Sequence, residues 1–211
     1  MISADTSRAE GGLVKLIVFD MGHVFVDFEW EQVCLGFCQR AGCTLEALRA
    51  VFNEVSKLGY ESGRIGTEAF LKELNTRLGT DIQRDEFTKI WMTSFRENEH
   101  MAELMGKLRQ QSPLYLLSNT NEVQFEWLES NYQVTRHFDE VILSYRVGWS
   151  KPEKEIYEEV MRRSGIAAEH CLFIDDLECN IAAASALGMQ TIRFLGVTDL
   201  RERLHAFGLT I

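Results

Sequence analysis

The sequence has no long hydrophobic run and no excess of basic residues. No segment approaches the roughly 18 consecutive apolar residues of a membrane-spanning helix. The 22 lysines and arginines are outnumbered by 32 aspartates and glutamates, giving a formal net charge of -10. This balance argues against nucleic acid or an anionic membrane as a partner. A small anionic substrate is compatible with this net charge, because it needs only a local positive site.

The chain also lacks an apolar leader and a second close-set pair of cysteines. Its first residues, MISADTSRAEGG, are polar, so we expect a polar N-terminal tail at 1–12 and no signal peptide. Cys34 and Cys38 lie four residues apart among apolar residues, a helical spacing that indicates buried thiols rather than zinc ligands. Free thiols in a chain without a signal indicate a cytoplasmic protein.

Short apolar runs alternate with helical patterns in the second half of the chain. With 211 residues, 45% of them apolar, we expect one domain or one domain with a sizeable insertion. The alternation from residue 113 onwards predicts an α/β fold with a doubly wound, Rossmann-like parallel sheet. One helix is predicted to open on Pro152 and to close on Gly165. The predicted strands are Leu13–Phe19, Leu114–Leu117, Val141–Leu143, Cys171–Ile174 and Thr191–Leu195.

Residues 30 to 97 interrupt this alternation with amphipathic segments and no convincing strand. We therefore expect a sheet core formed by residues 13–28 and 98–211, and an inserted all-helical cap at 29–97. An insertion after the first strand lies over the carboxyl ends of the strands, where open α/β sheets bind ligands. The predicted cap helices are Glu31–Ala41, Leu45–Leu58, Thr67–Leu78 and Arg84–Phe95.

Three acids follow two of the predicted strands. Asp20 ends the first run, and Asp175 and Asp176 end the run CLFI. Carboxylates gathered in one crevice repel each other, which raises a pKa or requires a cation. Oxygen ligands of this kind favour Mg²⁺ over zinc. A helix-capping role is the alternative, and it is the more natural one for Asp176 alone.

Two further motifs lie between these acids. Ser118 and Asn119 end the strand of LLSNTNE, where hydroxyl and amide groups can form a phosphate cradle or cap a helix. Lys151 precedes Pro152 on a loop, and alone it could equally be a solvated charge.

The order of these motifs is their most specific property. FDMGHVFVDF, LLSNTN, KPEKEIY and FIDDLECNIAAASALGM together resemble the haloacid dehalogenase-like hydrolase superfamily, over most of the chain from Leu13 to about Leu195. They are most similar to the branch with an all-helical cap, which includes sugar-phosphate phosphatases such as bacterial α-glucose-1-phosphate phosphatases. The resemblance implies a Mg²⁺-dependent phosphoric monoester hydrolase of small phosphorylated metabolites, acting as a monomer or homodimer.

The resemblance also implies roles for individual residues. Asp20 would be the nucleophile that forms an aspartyl phosphate. Ser118 and Asn119 would hold the phosphoryl oxygens, and Lys151 would balance their charge. Mg²⁺ would be held by Asp20, the backbone carbonyl of Gly22, Asp175 and Asp176, with Asn180 orienting these ligands or the Lys151 loop.

One expected acid is missing. Phosphatases of this superfamily usually carry a second Asp two residues after the nucleophile, where this chain has Gly22. General acid catalysis is worth roughly 10²–10⁴-fold in rate. Either the substrate has a good leaving group, such as a glycosyl or acyl phosphate, or His23 supplies the proton, or the protein is a weak catalyst that binds a phosphorylated ligand.

The reaction type and the substrate contacts of the cap each have an alternative interpretation. A 2-haloacid dehalogenase would also use an Asp nucleophile, but it needs no metal, and the Asp175–Asp176 pair argues against it. In the cap, Tyr60, Glu61 and Arg64 lie at a glycine-marked joint and could bind a sugar or a second phosphate, or form an ordinary helix–helix turn.

Overall fold

The computed structural model describes residues 13–211, and the expected tail at 1–12 lies outside this range. A parallel sheet of five strands forms the core, with a two-stranded ribbon beside it. No helix within the described residues is long and apolar enough to cross a membrane. The strands are β1 (Leu16–Phe19), β2 (Val26–Asp27), β3 (Arg96–Glu97), β4 (Leu114–Ser118), β5 (Glu140–Leu143), β6 (Cys171–Asp175) and β7 (Gln190–Arg193).

Helices separate these strands along the chain. Those between residues 29 and 97 are α1 (Trp30–Ala41), α2 (Leu45–Ser56), α3 (Thr67–Leu78) and α4 (Arg84–Trp91). Those of the remaining chain are α5 (Glu99–Leu108), α6 (Glu122–Tyr132), α7 (Ser144–Val147), α8 (Lys154–Ser164), α9 (Glu178–Ala186) and α10 (Val197–Leu204). Helix α8 begins at Lys154, so the prediction that Pro152 occupies its first turn was wrong.

The order of strands in the large sheet is β5-β4-β1-β6-β7, with every pair parallel. The predicted doubly wound α/β class is confirmed. Strands β1 and β6 are buried along their whole length, as expected for strands covered on both faces. The chain leaves β1 towards β4 on one side and leaves β6 towards β7 on the other. The point where the winding changes direction therefore lies between β1 and β6, and ligands bind at such points.

A short ribbon joins the helical insertion to the sheet domain. Val26 pairs with Glu97 and Asp27 pairs with Arg96 in antiparallel register. The expectation that residues 30–97 contain no strand was wrong at residues 96 and 97, because a two-residue ladder is too short to leave a periodic pattern. We propose that this ribbon marks the boundary between the core and the helical insertion at 29–97, which we call the cap.

Aromatic side chains fill the centre of the cap. The rings of Phe37, Phe70, Phe87 and Trp91 pack with centroids 5.1 to 6.5 Å apart, mostly edge to face. Phe52 joins this cluster against Phe37 and Trp91. Such contacts add to the hydrophobic gain from burial. They make the cap a packed unit rather than a loose lid.

The loop between α2 and α3 docks onto the core. The Ser144 hydroxyl donates to the carbonyl of Glu61 at 2.5 Å and accepts from the backbone N–H of Thr120 at 2.9 Å. A Cβ added at Gly63, whose φ is +69°, would lie 2.1 Å from the carbonyl oxygen of Tyr145. Only glycine allows this approach. The loop is thereby held at the carboxyl edge of the sheet.

Candidate active site

The three predicted acids meet at the carboxyl ends of β1 and β6. The backbone N–H of Asp20 donates to the carbonyl of Ile174 at 2.9 Å, so the ends of the two strands are tied together. Asp20, Asp175 and Asp176 each offer a carboxylate oxygen within 4.8 Å of the others. Asp20 and Asp175 are buried, whereas Asp176 is partly exposed. The parallel sheet thus brings Asp20 together with the Asp175–Asp176 pair, which lies 155 residues further along the sequence.

Lys151 lies between two of these acids. Its Nζ is 2.6 Å from Oδ1 of Asp20 and 2.7 Å from Oδ2 of Asp175, and its side chain is 1% exposed. Burial by itself lowers the pKa of a lysine, but the two carboxylates outweigh it and raise the pKa of Lys151 above its ordinary value. Burial raises the pKa of Asp20 to about 6, although Lys151 opposes this effect. The lysine is a fixed positive charge beside Asp20.

Asp175 is the most extensively hydrogen-bonded of the acids. Besides Lys151, it accepts from the backbone N–H of Leu177 at 2.8 Å and, on both oxygens, from Nδ2 of Asn180 at 3.0 Å. The carbonyl of Asn180 in turn accepts from the hydroxyl of Tyr157 at 3.1 Å. Protein donors therefore already surround Asp175, and they fix its orientation toward Lys151.

Asp176 lies at the open side of the cluster. It lines the crevice above the sheet. Burial and the neighbouring charge of Asp175 raise the pKa of Asp176, whereas the nearby His23 lowers it. Asp176 is not the helix cap, because the N-cap position of α9 is occupied by Leu177.

The two motif residues at the end of β4, Ser118 and Asn119, differ in their contacts and in their exposure to the crevice. The side-chain amide of Asn119 donates to the carbonyl of Lys151 at 2.8 Å and accepts from its N–H at 2.7 Å. Asn119 therefore holds the Lys151 loop, and it also lines the crevice. Ser118 is 1% exposed and lies behind the lining, with a long 3.4 Å contact to the carbonyl of Asn119. The helix cap is neither of these residues but Asn121, whose side chain accepts from the N–H of Gln124.

Gly22 and His23 form the turn after Asp20, and both line the crevice. His23 has a left-handed φ of 54° and stacks on the ring of Phe28 at 4.3 Å. The φ of Gly22 is ordinary, and a Cβ built there would meet only a ring atom of Phe28, at 3.4 Å. The backbone thus has room for a side chain at the position of the missing acid.

The crevice is a cavity of about 430 Å³ between core and cap. This volume is in the range of small-molecule sites. Its cap side is aromatic and its floor is charged. Sequence reasoning missed most of the apolar wall, because an aromatic residue of a cap helix such as Trp91 falls at amphipathic spacing, which indicates a core position rather than a ligand contact. The lining residues absent from the predicted site are Phe28, Trp30, Trp91, Phe95, Gln124 and Leu177.

The three predicted cap residues separate in the structure. Glu61 lines the crevice and is exposed to solvent there, and partial desolvation of its carboxyl group by the cavity walls raises the pKa of that group. Tyr60 is 4% exposed, and its hydroxyl is hydrogen-bonded to Oγ1 of Thr67 at 3.0 Å. Arg64 is exposed and is not among the residues that line the crevice. The structure therefore brings only Glu61 to the acids of the core.

A comparison with protein families matches residues 14–188 to the model of a haloacid dehalogenase-like hydrolase. The chain belongs to the haloacid dehalogenase-like hydrolase family. This match spans β1, the whole cap and all the strand-end motifs, so the predicted resemblance is confirmed.

Similar proteins within the family include curated phosphatases. The chain is 28% identical to a D-ribitol-5-phosphate phosphatase of Bacteroides thetaiotaomicron, over 91% of this chain and 97% of that protein. It is 27% identical to a sesquiterpene phosphatase of Aspergillus oryzae, over 83% of this chain and 87% of that protein. These matches agree with the predicted class of enzyme, a phosphoric monoester hydrolase.

Solved structures of the same family superpose closely. A family enzyme of Bacteroides thetaiotaomicron in complex with magnesium and inorganic phosphate matches with a TM-score of 0.74 and 27% identity, over 85% of this chain and 93% of that chain. A predicted hydrolase of the family from Porphyromonas gingivalis matches with a TM-score of 0.81 and 26% identity, over 92% and 98% of the two chains.

Proposed function

We propose that the protein is a Mg²⁺-dependent phosphatase that hydrolyses a small phosphorylated metabolite, a sugar phosphate or sugar-like phosphate, through an aspartyl phosphate on Asp20. The observation that carries the proposal is the buried contact of Lys151 with Asp20 and Asp175, at 2.6 and 2.7 Å, on the floor of an open crevice. A buried lysine there provides positive charge for a phosphoryl group beside a carboxylate nucleophile. The relatives named as phosphatases support the same chemistry.

The residues present fit a hard divalent cation. Three carboxylates have oxygens within 4.8 Å of one another, and Lys151 pairs with two of them, so the cluster keeps a negative charge that a cation can balance. We place Mg²⁺ on Asp20, Asp176 and the carbonyl of Gly22. In this proposal Asp175 orients Lys151, because the oxygens of Asp175 already accept hydrogen bonds from protein donors. The direct metal contact predicted for Asp175 stays a prediction. Bound there, Mg²⁺ supplies charge neutralisation for a phosphoryl group.

The chain's own residues then account for the transfer. A carboxylate oxygen of Asp20 attacks phosphorus while the bond to the ester oxygen breaks, which gives an alcohol and an aspartyl phosphate. Lys151 stabilises the negative charge on the phosphoryl oxygens, with Asn119, which lines the crevice, proposed as a further donor. The same role for Ser118, which is 1% exposed and lies behind the lining, stays a prediction. Water then hydrolyses the acyl phosphate, which restores Asp20 and releases inorganic phosphate. Asn180 maintains the geometry through its two hydrogen bonds to Asp175.

The proton for the leaving oxygen is proposed to come from His23. Gly22 has no side chain to donate it, and His23 is exposed in the same crevice beside Asp176. An imidazole is the side chain best suited to proton transfer near neutral pH. A substrate with a good leaving group, the alternative, would need no such donor.

Phosphate release with Mg²⁺ tests the proposal. Sugar 1-phosphates, sugar 6-phosphates, alditol phosphates, acyl phosphates and p-nitrophenyl phosphate are compared in the native protein and in Asp20→Asn. We expect turnover that requires Mg²⁺ and disappears in the variant. Binding of Mg²⁺ and phosphate without any turnover would favour the binding protein instead. Halide release from a 2-haloacid without metal would favour a dehalogenase. The cytoplasmic location and the monomeric or homodimeric state stay predictions.

A further inference from the structure

A second cavity adjoins the catalytic crevice inside the cap. It has a volume of about 340 Å³ and shares the side chains of Trp30, Glu61 and Trp91 with the crevice. Trp30 is 41% exposed, although it is a large apolar residue. The part of a substrate that extends beyond the phosphate can therefore pass Trp30 and Glu61 into this second space.

One face of helix α2 gives the cavity a polar wall. Arg49, Asn53 and Ser56 line it, and their spacing of four and three residues places them in one row along the helix. The opposite wall is aromatic, with Trp30 and Trp91 in edge-to-face contact at 5.3 Å. A flat or hydroxylated group fits between these walls, since aromatic faces and short polar groups are typical of such sites.

Arg49 is the cation of this wall and is unpaired. It is exposed, and within residues 13–211 its guanidinium forms neither an ion pair nor a hydrogen bond. By contrast, Arg40 and Arg77 of the same cap each pair with a carboxylate. A guanidinium offers a planar set of donors that matches a carboxylate or a phosphate in two parallel hydrogen bonds.

We infer that Arg49 binds a second anionic group of the substrate, at the end remote from the scissile phosphate. This inference rests on the proposed phosphatase function and deepens it. The substrate class is a hydroxylated phosphomonoester that carries a carboxylate or a second phosphate at its other end. Glu61 lies where the two cavities meet and accepts hydrogen bonds from hydroxyl groups between the two anions. The sequence offered Arg64 as a candidate for binding a second phosphate, with an ordinary helix–helix turn as the alternative, whereas Arg49 is the arginine that lines the cavity.

Matched pairs of substrates test the inference. D-Gluconate 6-phosphate and D-glucitol 6-phosphate share a hydroxylated six-carbon chain and differ by a terminal carboxylate. Fructose 1,6-bisphosphate and fructose 6-phosphate differ by a second phosphate. We expect the native protein to prefer at least one member with the second anion over the member without it, by about tenfold or more in kcat/KM, the size of a charge-assisted hydrogen bond. The pair that shows the preference identifies the second anion.

Two variants separate the role of Arg49 from a general effect of charge. In Arg49→Met the preference for the anionic member should fall to about one, mainly through KM. In Arg77→Met, which removes the same charge from helix α3 outside both cavities, the preference should stay at the native value. Thermal unfolding of both variants checks that each is folded.

The outcomes distinguish the inference from the function on which it rests. Turnover without preference in either pair, or a preference that survives Arg49→Met, would overturn the role of Arg49 and leave the phosphatase intact. Absence of phosphate release from all four phosphate esters and from p-nitrophenyl phosphate would overturn both the role of Arg49 and the phosphatase function.

Discussion

Replacing His23 by Asn tests how the leaving group receives its proton. Asparagine tolerates the left-handed φ of 54° at this position, so the turn after Asp20 is preserved while the titrating ring is lost. His23 is exposed to the crevice, and water can partly replace it as a donor. We therefore expect a loss of about 10²-fold in kcat on alkyl phosphates, at the lower end of the range for general acid catalysis.

The assay compares two leaving groups. An alkoxide needs a proton as it leaves, whereas p-nitrophenolate is stabilised and does not. With saturating Mg²⁺, His23→Asn should slow the hydrolysis of an alditol phosphate and spare p-nitrophenyl phosphate. His100→Asn provides the control, because His100 is an exposed histidine of helix α5 outside the crevice.

Gly22→Asp in the His23→Asn background completes the test. A Cβ at Gly22 meets only Phe28, at 3.4 Å, and the backbone has an ordinary φ, so the added carboxyl group can be accommodated. We expect it to restore alkyl phosphate hydrolysis, while Gly22→Asn, of the same size but without an acidic proton, does not. Equal losses on both leaving groups would refute the proton role of His23. No loss in His23→Asn would also refute it and would favour a substrate with a good leaving group.

Three further predictions follow from contacts of the core and cap. Asn180→Ala removes the donor to both oxygens of Asp175 and should loosen the contact of Asp175 with Lys151, so that kcat for phosphate release falls by about 10- to 100-fold against the native protein. Gly63→Ala forces a Cβ to within 2.1 Å of the Tyr145 carbonyl, so the loop carrying Glu61 should shift and KM should rise; Gly66→Ala, where a Cβ meets nothing within 4 Å, should keep the native KM. Chelation of Mg²⁺ should abolish turnover and readdition should restore it, and full activity in chelator would contradict the metal site.

The predicted elements fell close to the observed ones where burial imposed a pattern. Helix α3 runs over Thr67–Leu78 as predicted, because its apolar residues recur at helical spacing between Gly66 and Gly79. Helices α2 and α4 end earlier than predicted, at Ser56 and Trp91. The predicted end of α4 rested on an apolar residue, Phe95, that is buried by tertiary packing outside the helix. Phe95 stacks on Phe28 at 4.7 Å.

The acids of the site were predictable because strand ends are visible in the sequence. An apolar run that stops on an acid identifies Asp20 and Asp175, and a parallel sheet has to bring both to one edge. Which of these acids would bind a metal ion and which would orient Lys151 was not predictable. Which carboxylate is surrounded by donors depends on Asn180 and Lys151, which reach Asp175 from a different helix and a different loop.

The fold class, the family and the chemical types gathered at the sheet edge could be predicted from the sequence, because hydrophobic periodicity and motif order are local properties of the chain. Which cap side chains face the acids could be seen only in the folded structure. Glu61 lines the crevice and Arg49 lines the adjoining cavity, whereas Arg64 lines neither. The direction of a side chain depends on how the cap helices pack on one another and on the core, and one sequence holds no local record of that packing.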